Sequence, residues 1–175
     1  TDGLKSSGVD VPLSVMQSNG GLSTPRVAAE RPAFCIESGP AAGVMGAAYL
    51  GQRMGLKDLM TLDMGGTTAK ASIIESGEVL RSREYEVGAG LNVGHRLLRG
   101  AGHILSVPAI DIAEVGAGGG SIARVDDSGS LRVGPDSSGA VPGPACYGRD
   151  GTKATVTDAN VLLGYLNPEY LLGGS

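Results

Sequence analysis

The stretch "DLMTLDMGGTTAKASIIESGEV", residues 58–79, decides how the chain is read. Its opening, "DLMTLDMG" (58–65), with Leu59, Met60, Leu62 and Met64, reads as an apolar strand. The strand runs into Asp63, and Gly65, Gly66, Thr67, Thr68 and Lys70 follow at once. "KASIIES" is a second apolar run, and Ser76-Gly77 is a turn signal before "EVLRSREYEV". The order is therefore strand, glycine loop, strand, turn, strand, a meander. A carboxylate at the end of a buried strand is costly to desolvate unless something binds it. Glycines beside it let backbone N–H groups approach an anion with no side chain in the way. Two readings fit. In one, the loop holds the terminal phosphates of a nucleotide, with Asp63 near a hydrated Mg²⁺ or an attacking water and Lys70 adding charge. In the other, it is a tight hairpin with Asp63 capping the turn. A Walker A loop is excluded, because GxxxxGK[ST] leading into a helix is absent, and so is a dinucleotide fingerprint, because a strand follows the glycines.

The rest of the composition narrows the classes. The chain has 175 residues, 41% of them hydrophobic, enough for a core. Thirty are glycine, against a usual ~7%. They fall in clusters without a repeat, so collagen-like and low-complexity readings fail. With no Trp, one Phe, five Tyr and a net charge of -4, the chain lacks the stacking platforms and basic runs that nucleic acid calls for. No apolar run reaches the ~18–20 residues of a membrane span. Cys35 and Cys146 lack metal-type spacing and read as free thiols of a reducing cytoplasm. His95 and His103 are not spaced as a zinc pair. The chain begins at Thr1 without Met and stops at "LLGGS", which suggests a piece of a longer protein.

Outside the opening stretch, residues 11–18 and 33–38 read as short strands. "STPRVAAERP" offers Thr24 as N-cap, Pro25 at the first helical position and Pro32 as a stop. Residues 38–56 read as a helix opened by Pro40 and closed by Gly55, with Gly43 and Gly46 expected to meet a close neighbour, since each costs ~1 kcal/mol against Ala. A helix is expected around 94–105, a strand over 108–115, and a hairpin of 121–125 with 130–133 turning at "DDSG". Residues 135–152 read as loop, and 155–166 as a last helix capped by Thr157 or Asp158. The second glycine cluster, "EVGAGGGSIA" (114–123), admits two readings: Gly118, Gly119, Gly120 and Ser121 meet an oxyanion, or they form a bend where another backbone approaches. Cys146 has no base to make it a nucleophile, and Asp158 is explained by helix capping.

The layout of residues 37–74, a small-residue helix opened by Pro and a strand ending in Asp-x-Gly-Gly-Thr before a hairpin, resembles the actin-like ATPase superfamily. The fold implied is α/β, a lobe fragment of the actin-like (ribonuclease H-like) type, with a mixed sheet, a β-meander and flanking helices. A closer resemblance covers nearly the whole chain. "MQSNGG", "SGPAAGVMGAA", "DMGGTTAK", "VGAGGGSIA", "VGPDSSGAVPGPACYG" and "TVTDANVLLG" occur in that order in the hydantoinase A / 5-oxoprolinase / acetone carboxylase family. Members are longer and carry an earlier Asp-x-Gly-Gly-Thr loop and a later adenosine loop. The resemblance thus implies a central fragment: connecting strands and helices over 1–57, the phosphate-loop strand, hairpin and helix over 58–105, and the Gly-rich loop, hairpin and last helix over 106–175. It implies ATP and Mg²⁺ as cofactors. Gly65, Gly66, Thr67, Thr68, Lys70 and Gly118, Gly119, Gly120 and Ser121 would hold ATP, and Asp63 would be catalytic and reach the metal through water. Many members read Gly-Gly-Thr-Ser-Thr-Asp where Thr67-Thr68-Ala69-Lys70 stands, so the role of position 70 stays open. The activity implied is ATP-dependent opening of a cyclic amide of the hydantoin or 5-oxoproline type through a phosphorylated carbonyl. The alternatives are the ATP-binding subunit of an acetone or acetophenone carboxylase and a non-catalytic actin-like nucleotide switch. Implied partners are the small cyclic amide, the rest of the parent chain and a second, B-type subunit, with neither nucleic acid nor membrane involved. The isolated fragment is expected to be inactive.

Overall fold

The computed structural model describes residues 2–87, 91–92 and 103–170. They fall into two compact units: one runs up to Asp63 and resumes over Lys70–Ala113, the other holds Met64–Ala69 and the residues from Glu114 onward.

The first unit opens with helix α1 (Asp2–Ser6), the short pair β1 (Val15–Met16) and β2 (Leu22–Ser23), and α2 (Pro25–Glu30). The "MQSNGG" stretch is the turn of that pair. Gly20 sits at φ +83° against the Met45 side chain, where a Cβ would come within 2.8 Å of it, and the Asn19 side chain accepts from the Gly21 amide. Thr24 caps α2 by accepting from the Val27 amide, with Pro25 in the first turn. The extended segment expected at 33–38 is instead a 3₁₀ turn, Pro32–Cys35. Buried Ser18 stabilises it: its amide and hydroxyl both donate to the Phe34 carbonyl, and its oxygen accepts from the Glu37 amide.

Helix α3 (Ser38–Met54) follows and ends on Gly55 in the left-handed conformation, φ +73°, as expected of a C-terminal glycine. The close neighbour expected at Gly43 and Gly46 is absent, since a Cβ there would meet nothing among the described residues within 4 Å. It occurs instead at Gly51, where a Cβ would run into the Leu59 side chain.

Strand β3 (Leu59–Met64) neighbours β4 (Ala69–Glu75), and β5 (Glu78–Val79) pairs antiparallel with β4 through Ile74–Val79 and Glu75–Glu78. The meander is therefore present. Ser76 and Gly77 make its second turn, with φ of 53° and 82°. The long third strand expected beyond Val79 is broken up. β6 (Arg81–Ser82) leaves to pair with β10 (Ala109–Ile110), while β7 (Tyr85–Val87) pairs with β9 (His103–Leu105); β8 is Leu91–Asn92. The helix expected around 94–105 lies outside the described residues up to 102, and 103–105 is strand rather than helix, because its backbone is paired with β7. Ala41, Val44, Ile74, Val79, Ile110 and Ile112 form the core, with Met45, Ala47, Ala48 and Leu59 packed on it. Burying such side chains contributes about 1.5–3 kcal/mol each for the larger ones.

The second unit takes in β11 (Ala113–Val115) from Glu114 on, the hairpin β12 (Ser121–Val125) and β13 (Leu131–Ser137), a 3₁₀ turn Ala145–Tyr147, and α4 (Val156–Leu162). The hairpin turns where expected. Asp126 holds it by accepting from the Ser128 hydroxyl, the Arg132 guanidinium and the Ser130 and Ser128 amides, which lower its carboxyl to about 2. The N-cap of α4 is Thr155, neither Thr157 nor Asp158. Asp158 is its reciprocal partner three residues on, each side chain meeting the other's backbone amide. No helix among the described residues is long and apolar enough to cross a membrane.

Candidate functional site

Met64–Ala69 and the 118–121 cluster belong to the same unit and lie backbone to backbone. The first loop closes on itself, the Gly65 amide donating to the Thr68 carbonyl at 2.9 Å. The second then takes hold of it: the Gly119 amide donates to the Gly65 carbonyl at 2.9 Å and the Gly120 amide to the Gly66 carbonyl at 2.6 Å. Glycine is required on the second loop for this approach. A Cβ on Gly118 would stand 2.6 Å from the Gly66 carbonyl group and the Thr67 nitrogen, and one on Gly120 would stand 2.9 Å from the Gly66 oxygen.

All four amides of the second loop are committed. Gly118 donates to the Ser121 oxygen, Gly119 and Gly120 to the first loop, and Ser121 to the Gly118 carbonyl. Ser121 is 0% exposed. The first loop is arranged differently. Gly65, Gly66 and Thr67 are exposed, a Cβ on Gly66 would meet nothing within 4 Å, and the Gly66 and Thr67 amides donate to no protein acceptor among the described residues. That leaves two adjacent N–H groups and the Thr67 hydroxyl without a protein partner among the described residues, in exposed residues whose Gly66–Thr67 peptide has Gly118 against it. Free N–H groups in such a loop are a way to receive an oxyanion.

Behind the second loop stands the start of α4. Both the amide and the hydroxyl of Thr157 donate to the Gly119 carbonyl, each at 2.8 Å. Asp158, one residue on, accepts from the Thr155 amide and hydroxyl and from the amides of Cys146 and Ala145. Partial burial works to raise its carboxyl. Hydrogen bonds from the Cys146 amide, the Thr155 hydroxyl, the Cys146 thiol and the Thr155 amide outweigh it and hold the group at about 2. Desolvation, and then the hydrogen bond to Asp158 and its charge, push the Cys146 thiol up to about 11. Such a thiol is a poor nucleophile at neutral pH, in keeping with the absence of a base beside it in the sequence.

The two charged residues flanking the first loop in the chain, Asp63 and Lys70, belong to the other unit. Both line a groove of about 570 Å³, whose walls include Gly43, Ala47 and Leu50 of α3 and Thr61 of β3. The small residues of α3 thus border open space. The Asp63 side chain is exposed and makes neither ion pair nor hydrogen bond with a described residue. Among the described residues no three His, Cys, Asp or Glu side chains gather as a metal cluster. A single exposed carboxylate suits a hydrated Mg²⁺ held through its waters, the mode that demands fewest protein ligands. The sequence reading missed Thr157 as the anchor of Gly119. The one signal was a second threonine beside the capping aspartate in "TVTDAN", and nothing in it says which loop the threonine meets.

The geometry defines an α/β protein with one open glycine loop braced by a second. The model of the family Hydantoinase/oxoprolinase matches residues 1–175, and the chain belongs to that family. It is 42% identical to caprolactamase subunit alpha of Pseudomonas jessenii over 168 residues, 96% of this chain and 22% of that one. A solved structure of ATP-dependent caprolactamase from the same organism matches with a TM-score of 0.64 at 39% identity, over 99% of this chain and 23% of the other. The nucleotide-free structure of acetone carboxylase, described under ATP-dependent acetone carboxylation, matches with a TM-score of 0.79 at 32% identity, over 99% and 22%. 5-Oxoprolinase 1 of Arabidopsis thaliana is 40% identical over 158 residues, 89% of this chain and 11% of that protein. The chain spans about a quarter or less of the length of these relatives.

Proposed function

We propose that this chain is the central segment of an ATP-dependent amidohydrolase that opens a small cyclic amide, and that its Gly65–Thr68 loop receives the phosphate tail of ATP. The observation that carries the reading is the pair of amides at Gly66 and Thr67 with no acceptor among the described residues, on an exposed, braced loop. Phosphoryl transfer depends on positioning and on charge stabilisation, and backbone N–H groups fixed in advance supply both. In this reading the Thr67 and Thr68 hydroxyls add donors, and the segment is an actin-like lobe. Asp63 holds Mg²⁺ through water, and the ion's charge would offset that of the phosphates. Gly118, Gly119, Gly120 and Ser121 act behind the first loop, since their own amides are spent within the protein.

The chemistry is the activation of a poor electrophile. The γ-phosphoryl group passes to the carbonyl oxygen of the cyclic amide and ADP leaves. Water then adds to the carbonyl carbon, and the ring C–N bond breaks as nitrogen takes a proton. A second water hydrolyses the resulting acyl phosphate to carboxylate and phosphate. The names of the relatives support the substrate class: a caprolactamase and a 5-oxoprolinase both name a lactam. The word subunit in the first supports a multi-chain enzyme. Two free cysteines are in keeping with a cytoplasmic setting.

A ketone carboxylase is the second reading, favoured by the higher TM-score with acetone carboxylase, 0.79 against 0.64. Sequence identity runs the other way, 32% against 39%, and side chains rather than backbone path select a substrate. The test is ADP release by the family-length protein carrying this segment. Hydantoin, 5-oxoproline or caprolactam is expected to stimulate it with ring opening in proportion. Stimulation by acetone with bicarbonate alone would favour the carboxylase. Nucleotide-dependent assembly with neither substrate class consumed would favour the switch. The 175 residues alone are expected to show no steady-state ATP turnover.

A further inference from the structure

We propose that Thr157 is a positioning residue for the Gly65–Thr68 loop, acting through Gly119; the link to ATP rests on the function proposed above. Each step of the connection is a short hydrogen bond within one unit. The Thr157 hydroxyl and amide converge on the Gly119 carbonyl at 2.8 Å. The amide of the same Gly119 holds the Gly65 carbonyl at 2.9 Å, and that of Gly120 holds the Gly66 carbonyl at 2.6 Å. Gly119 is thus held at both of its backbone polar groups, its carbonyl by α4 and its amide by the first loop. There is little room for slack: a Cβ on Gly119 would lie 2.7 Å from the Thr157 oxygen, and one on Gly118 would lie 2.6 Å from the Gly66 backbone. Thr157 itself is buried, at 8% exposure, and its hydroxyl serves no cap, because Thr155 fills that role. A buried hydroxyl aimed at a carbonyl that already accepts an amide adds direction rather than satisfying an orphan group. The carbonyl it fixes determines where the Gly65 and Gly66 carbonyls lie, and so where the Gly66 and Thr67 N–H groups point.

The test compares Thr157→Val, which keeps shape and removes the hydroxyl, with Thr157→Ser, which keeps the hydroxyl. Amide hydrogen exchange is followed at Gly65, Gly119 and Gly120, whose amides are bonded where the two loops meet, in the 175-residue chain, with the β12–β13 hairpin as internal reference. ATP affinity is measured on the family-length protein. Thr157→Val is expected to speed exchange at Gly65, Gly119 and Gly120 about fivefold, the factor that one ~1 kcal/mol hydrogen bond corresponds to. ATP affinity should fall by a similar factor, and Thr157→Ser should behave as the unaltered protein does in both measurements. Unchanged exchange at Gly65, Gly119 and Gly120, or equal acceleration there and in the hairpin, overturns the proposal, the second outcome marking a merely structural residue. If the unaltered protein binds no ATP while the local exchange responds as expected, the positioning stands and the functional reading fails.

Discussion

The two glycine loops follow strands in the same way and are composed alike, yet they do opposite things with their backbones. At 118–121 every amide is bonded within the protein and Ser121 is fully buried; at 65–67 the chain is exposed and two amides have no acceptor among the described residues. The glycines of the second loop let its backbone reach the first, where a Cβ on Gly118 or Gly120 would strike Gly66, whereas a Cβ on Gly66 would meet nothing among the described residues within 4 Å. A glycine cluster therefore does not by itself say what its backbone meets; the local hydrogen-bond accounting does.

That contrast is most easily broken by adding the missing Cβ. Gly118→Ala places it 2.6 Å from backbone atoms of Gly66 and Thr67, which have no flexible end to yield. Overpacking of this kind costs about 1–3 kcal/mol, read as a lowered melting temperature. Gly66→Ala meets nothing among the described residues within 4 Å, so its melting temperature should change by no more than about 0.5 kcal/mol allows. ATP affinity should nevertheless fall roughly tenfold, about 1.4 kcal/mol, because the methyl group stands on the rim where an anion would dock. Equal stability losses in the two variants would erase the distinction between the loops.

Asp158→Asn sharpens the comparison from behind. It weakens the α4 cap and the hold on Ala145 and Cys146, at a cost of about 1 kcal/mol near neutral pH. The Asp158 carboxyl is held near 2, below its ordinary 3.8, so its stabilising share is present above about pH 3.8 and is lost as pH falls through about 2. The melting temperatures of the two proteins should therefore converge in acid, whereas a constant gap from pH 7 to pH 2 would contradict the assignment. A smaller effect concerns Cys146, whose thiol is raised to about 11 in part by the same carboxylate. Alkylation of Cys146 at pH 8 should be slow despite its exposure and should quicken in Asp158→Asn; an unchanged rate would show that the carboxylate does not govern it.

Much of this was legible in the sequence wherever local chemistry decides the outcome. The Thr24-Pro25 start, the Gly55 stop, the Ser76-Gly77 turn and the "DDSG" hairpin follow from capping and left-handed backbone rules, and all four are found. What was not legible depends on long-range partners. Residues 33–38 read as extended, but buried Ser18 pulls Phe34 and Glu37 into a turn from far along the chain. The compensating contact for glycine in α3 falls at Gly51 because Leu59 arrives there, and no pattern within the helix announces it. At the candidate site, residue types distinguish neither glycine cluster from the other. The difference lies in Thr157 and Ser121, whose acceptor and burial depend on how the segments come together.

The most direct test of the central claim is an amide NMR titration of the 175-residue chain with Mg·ATP up to millimolar concentrations. The account predicts saturable shifts largest at Gly66 and Thr67, with the committed amides of Gly118–Ser121 moving little. Shifts centred on Gly118–Ser121, or none at Gly66 and Thr67 while the nucleotide is shown to be bound, would contradict it.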